Sequence, residues 1–128
     1  MKAALLASLV VMFAAGAVAH DLFDFDGWMS RIEDGSQDLQ RHIAAKDVAA
    51  ARGSARELEE LYALMQQFFA ERGGAADAVR MSREGYGFAK RAQDDLAAGR
   101  FASAKQNALR IAHGCRDCHF NYKPFRAK

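Results

Sequence analysis

Near the carboxyl end of this 128-residue chain stand Cys115-Arg116-Asp117-Cys118-His119. Two cysteines three apart, followed at once by histidine, form the c-type haem attachment signature. On a helix, or a turn closing one, the two cysteines share a face, so each thiol can add to one of the two vinyl groups of a porphyrin. His119 then points its imidazole at the iron as the proximal ligand. Haem c and its iron are the expected cofactor.

Other uses of the same residues fit less well. A thioredoxin-type C-x-x-C opens a helix after a strand, in a βαβ setting that this sequence lacks. A structural zinc site takes four Cys/His ligands, and His20, His42 and His113 have no finger-like spacing to the pair. A plain disulfide leaves His119 unexplained.

The elements that must position this motif follow from the rest of the chain. Met1-Lys2 is followed by an almost wholly apolar run from Ala3 to Val18, ending Ala17-Val18-Ala19 before His20. A positive start, an apolar stretch and an A-x-A exit predict a cleaved secretory signal over 1–19. The domain is then 20–128, enough for one small core, in an exported protein with no membrane insertion after cleavage. Lys and Arg number 18 against 16 Asp and Glu. Such a balance gives no reason to expect nucleic acid or an anionic membrane as partner. No nucleophile–base pair or phosphate-binding glycine loop points to an enzyme.

The remaining sequence is helix-forming throughout. The single proline, Pro124, lies beyond the motif, and no run alternates long enough for a strand. Turn-like clusters at Ala44–Asp47, Arg72–Gly74 and Ala98–Arg100 leave four segments of roughly 20 to 26 residues, long for globular helices. In the first, Leu22, Phe25, Met29, Ile32, Ser36, Leu39 and Ile43 recur at alternating spacings of 3 and 4, a bundle seam. Asp47 is a fitting N-cap for the second, whose seam runs Val48, Ala51, Ala55, Leu58, Tyr62, Met65 and Phe69. The third, from about Ala75 to Ala98, is less regular. Val79, Ser82, Tyr86, Ala89 and Leu96 make one stripe, and Met81, Phe88 and Ala92 another, with Gly85 and Gly87 as weak points. The fourth carries Phe101, Ala104, Ala108, Ile111 and Cys115. An all-α, antiparallel up-down-up-down four-helix bundle follows, with haem at one end.

This layout constrains the second axial ligand. Nine residues after His119 are too few to reach the far face of a porphyrin, so that ligand comes from upstream. The end of the fourth helix lies beside the start of the first, the end of the second and the start of the third. Met29, Met65 and Met81 satisfy that test by position. His42 is about 20 Å further along the first helix than Met29, and His113 shares a helix with His119. Three methionines therefore compete, each of which could equally be packing core. Phe25, Met65, Phe69 and Tyr86 are candidate walls of the haem pocket.

The motif near the carboxyl end, the Phe120-Asn121-Tyr122-Lys123 that follows it and the four helices resemble the class II c-type cytochromes, the cytochrome c-prime family. In one branch of that family an apolar residue of the first helix blocks the distal face, and a five-coordinate iron binds NO or CO. In the other a methionine of that helix ligates the iron. Trp28-Met29-Ser30-Arg31 is similar to the region where that methionine occurs, so the resemblance implies Met29 as distal ligand. It implies a periplasmic one-electron carrier serving redox partner proteins, and a homodimer through the first two helices. The alternative it allows is a gas sensor or NO scavenger. Lys123 stands where the family often has arginine and lacks the planar fork of that side chain. Arg31 follows the methionine and reads as a surface residue.

Overall fold

The computed structural model describes residues 22–122. The predicted signal segment, His20 and Lys123 lie outside the described residues. Four helices follow one another: α1 (Leu22–Ala44), α2 (Val48–Arg72), α3 (Ala76–Ala97) and α4 (Phe101–Tyr122). Each packs on its neighbours in sequence and α4 closes back on α1, while the backbones of the diagonal pairs stay apart. This is an up-down-up-down four-helix bundle. None of these helices is long and apolar enough to cross a membrane.

The predicted boundaries hold where local chemistry sets them. Asp47 caps α2, its carboxylate accepting from the Ala50 amide at 3.1 Å, which satisfies one of the orphan donors of a helix start. Gly73 ends α2 with φ +70°. On α1, Phe25, Ile32, Ser36, Leu39 and Ile43 are buried and Met29 half-buried, as the alternating spacing requires. On α2, Leu61 and Phe68 join the predicted seam in the core, so this helix presents a wide band of large side chains.

α3 is the exception. Its buried face is Ala78, Ser82, Gly85, Ala89, Ala92 and Leu96, a stripe of mostly small residues. Val79 and Tyr86, expected on the main stripe, are turned to its flank and only half-buried. Large residues of α2 against small ones of α3 allow a close approach of the two backbones. The contact is close at Gly85, where an added Cβ would lie 2.5 Å from the Tyr62 ring.

The turn between α3 and α4 is held by one carboxylate. Asp95 is buried and accepts from Ser103 Oγ at 2.6 Å, Arg100 Nε at 2.9 Å and Asn107 Nδ2 at 2.9 Å. The Arg100 amide donates to the Asp95 carbonyl at 2.8 Å, and Gly99 supplies the positive φ of +72° that the turn needs. The Ser103 hydroxyl first, with Arg100 and Asn107 behind it, holds the Asp95 carboxyl below the ordinary carboxylate value. A carboxyl whose folded pKa is depressed contributes stability that is present above its unfolded pKa. That contribution fades as pH falls through the folded value. Asp95→Asn should therefore lower stability at neutral pH by about 1–3 kcal/mol and flatten its decline in acid. Urea melts at pH 7 and at stepwise lower pH test this; an unchanged midpoint at neutral pH would contradict it.

Candidate functional site

The attachment motif lies inside α4, which runs three residues beyond His119. Cys115, Cys118 and His119 are half-buried, while Arg116, Asp117 and Phe120 are exposed. The i, i+3, i+4 spacing thus places the three chemistry-bearing side chains on the inner face of a regular helix. Both thiols are free. Among the described residues no three His, Cys, Asp or Glu side chains converge as a metal site.

These three residues border a cavity of about 250 Å³ to which all four helices contribute. From α4 it also takes Ile111, from α1 Met29 and Ile32, from α2 Tyr62 and Met65, and from α3 Met81, Ser82, Gly85 and Phe88. The bundle therefore brings Met29, Met65 and Met81 to the same space as His119, and neither His42 nor His113 borders it. Exposed charges fringe it: Arg80, paired to Glu84 at 2.9 Å, together with Glu33, Asp77, Arg110 and Asp117.

The donor chemistry fits a covalently held haem. A porphyrin brings four nitrogens of its own, so the protein need supply two thiols for attachment and one or two axial atoms. Cys115 and Cys118 could supply the first, and His119 with a methionine sulfur the second. Ile32, Phe88 and Ile111 supply apolar wall.

Of the four candidate walls, Met65 borders the cavity and the other three do not. Phe25 and Phe69 pack with Phe68 in an aromatic cluster at the bundle end, with ring centroids 4.9 to 5.6 Å apart. Trp28 and Tyr122 extend that cluster at its edges. The reason is that α2 buries two consecutive phenylalanines there, and Phe25 of α1 fits between them. Tyr86 is one residue past Gly85, about 100° further round the helix. It lies beside Glu59 on the outer α2–α3 flank instead. Arg31 is exposed, as read from the sequence, and pairs with Glu57 of α2 at 2.6 Å.

Tyr62 is the functional neighbour that sequence reasoning placed merely among core residues. It is buried, its ring lies against Gly85, and it borders the cavity together with Cys115 and Cys118. Burial pushes the Tyr62 hydroxyl strongly up, and the neighbouring Cys115 and Cys118 add to this. Burial also raises the Cys115 thiol, opposed by the neighbouring Tyr62 hydroxyl. Cys118 is pushed up to about 11 by burial, then by Cys115 and Asp77. The Tyr122 hydroxyl donates to Asp77, tying the end of the motif helix to the start of α3.

No family model, curated protein or solved structure matches this chain.

Two glycines of α3 separate packing from helix propensity. Glycine in a helix costs about 0.5–1 kcal/mol relative to alanine. At Gly87 a Cβ would meet only the movable end of Arg91 at 3.2 Å, so Gly87→Ala should gain up to about that amount. At Gly85 it would meet a ring locked in the core, and overpacking of about 1–3 kcal/mol outweighs the propensity gain. Gly85→Ala should destabilise. Urea midpoints of the two variants read both signs, and a stabilised Gly85→Ala would contradict the close contact.

Proposed function

We propose that the protein is an exported c-type cytochrome of the class II kind, carrying one electron at a time between redox partners in the periplasm. One haem c is attached through Cys115 and Cys118, with His119 as proximal ligand and Met29 as distal ligand. The observation that carries this reading is one cavity bordered by Cys115, Cys118 and His119 on α4 and by Met29 on α1.

The bound haem supplies reversible one-electron iron chemistry; the chain sets its conditions. His119 gives a nitrogen donor from a helix whose end is anchored through Tyr122 and Asp77. Met29 gives a neutral, polarizable sulfur, and His/Met ligation raises the potential. Ile32, Phe88 and Ile111 exclude water, which disfavours the extra charge of ferric iron and raises it further. The exposed fringe leaves one edge open to partner proteins, so electron transfer needs no substrate pocket. Nothing in this role asks for a catalytic residue.

Met65 and Met81 border the same cavity, so Met29 has competitors and the test must include them. The electronic spectrum of the haem-loaded protein decides. A low-spin ferric spectrum with the weak sulfur-to-iron band should be lost in Met29→Ala and kept in Met65→Ala and Met81→Ala. A high-spin spectrum indifferent to Met29→Ala would contradict the carrier reading and favour a five-coordinate iron that binds NO or CO.

A further inference from the structure

We propose that Arg110 of α4 and Arg91 of α3, which converge on the Phe88 ring at the cavity edge, bind the two propionate carboxylates of the haem. This rests on the haem reading above and gives the polar end of the cofactor its own partners, outside the attachment motif.

Three observations converge. The guanidiniums of Arg91 and Arg110 both lie over the Phe88 ring, 4.8 and 5.7 Å from its centroid, and Phe88 and Arg110 border the cavity. A guanidinium resting on an aromatic face keeps N–H donors free for a carboxylate. Gly87 makes room for this arrangement, since Arg91 Nη1 lies 3.2 Å from where a Cβ at that position would stand.

Neither arginine forms an ion pair among the described residues. Of the lysines and arginines that border the cavity, Arg80 is neutralised by Glu84 at 2.9 Å, which leaves Arg110 as the unbalanced one. Two like charges gathered at one ring without a carboxylate favour an anion beside them. The rest of the fringe has the opposite sign: Glu33, Asp77 and Asp117 border the same cavity. Carboxylates are therefore favoured on the Phe88 side.

The chemistry of haem agrees with this layout. Its vinyl groups and its propionates stand on opposite edges of the porphyrin, so attachment at Cys115 and Cys118 leaves the propionates to find other partners. Arg110 precedes Cys115 by five residues, about 7.5 Å back along α4. Two carboxylates meet two cations, and each planar fork can hold one of them through paired N–H bonds.

An arginine beside a propionate keeps it ionised, and an ionised propionate stabilises ferric iron. The reduction potential therefore falls as pH rises through the propionate pKa, and loss of the arginine moves that fall to higher pH. The test uses the full chain loaded by a haem-attachment system. It reads the potential against pH by spectroelectrochemistry and the propionate bending band by resonance Raman. Arg110→Gln should move the fall up by about half a unit to one unit, roughly three- to tenfold in proton affinity, and should shift the Raman band. Arg91→Gln should act in the same direction. Arg80→Gln removes a charge from the same fringe and should leave the band in place. A potential displaced equally at every pH, with an unmoved band, would reduce Arg110 to a distant charge and overturn the proposal. An equal band shift in Arg80→Gln, or an effect confined to one of Arg91 and Arg110, would also overturn it. A parent chain that carries haem at both cysteines and is indifferent to both substitutions overturns this assignment alone. A parent chain that takes up no haem overturns the cytochrome reading itself.

Discussion

The packing of large side chains on α2 into a stripe of small ones on α3 is the constraint from which the site follows. Tyr62 packs on a helix whose buried positions include Ala78, Ser82, Gly85, Ala89 and Ala92, while Leu58, Leu61 and Met65 of α2 are buried in the same core and Leu58 lies against Gly35 of α1. Fully burying a leucine-sized side chain is worth about 1.5–3 kcal/mol, so this interface supplies much of the stability. It also sets where things stand. With Tyr62 pressed on the Gly85 backbone, α3 meets the motif face of α4 through Ser82 and Gly85, with Met81 and Phe88 also at the cavity. Space remains there, bordered by Ser82 and Gly85 on one side and by Cys115 and Cys118 on the other.

The two ends of the bundle are finished differently. At the end away from the motif, Asp95 gathers three side-chain donors and closes the α3–α4 turn with polar bonds. At the motif end, Phe25, Phe68 and Phe69 make an aromatic cluster, and the Arg72 guanidinium lies 4.4 Å from the Phe68 ring centroid. Between that cluster and the middle of the bundle the core is interrupted by the cavity. Cofactor sites in helix bundles are built this way, from side chains on facing helices.

Much of this was legible in the sequence, for physical reasons that can be named. The α1 and α2 seams were readable because large apolar residues recur at helical spacing, a signal local to one helix. Asp47 and Gly73 were readable because capping is local chemistry. The encounter of Met29, Met65 and Met81 with the motif followed from topology alone, since antiparallel helices of similar length fix which ends meet. The face of α3 was not readable in the same way. Ala78, Ser82, Gly85 and Ala89 recur at spacings of 4 and 3, yet small residues carry a weak hydropathy signal. Val79 and Tyr86 drew the stripe one position aside. Whether a glycine is a weak point or a seat for a ring depends on the facing helix. Tyr62 beside Cys115 and the Phe25–Phe69 contact are likewise properties of pairs, which periodicity does not report.

The account turns on whether α4 carries a covalent haem at the cavity it borders. The most direct measurement is the intact mass of the protein purified from cells with a haem-attachment system, under denaturing conditions that release any haem not covalently bound. The account predicts a chain heavier by one haem with no alkylatable thiol, and loss of that mass when both Cys115 and Cys118 are replaced by serine. A chain of unmodified mass with two reactive thiols, or joined by a disulfide, would contradict it.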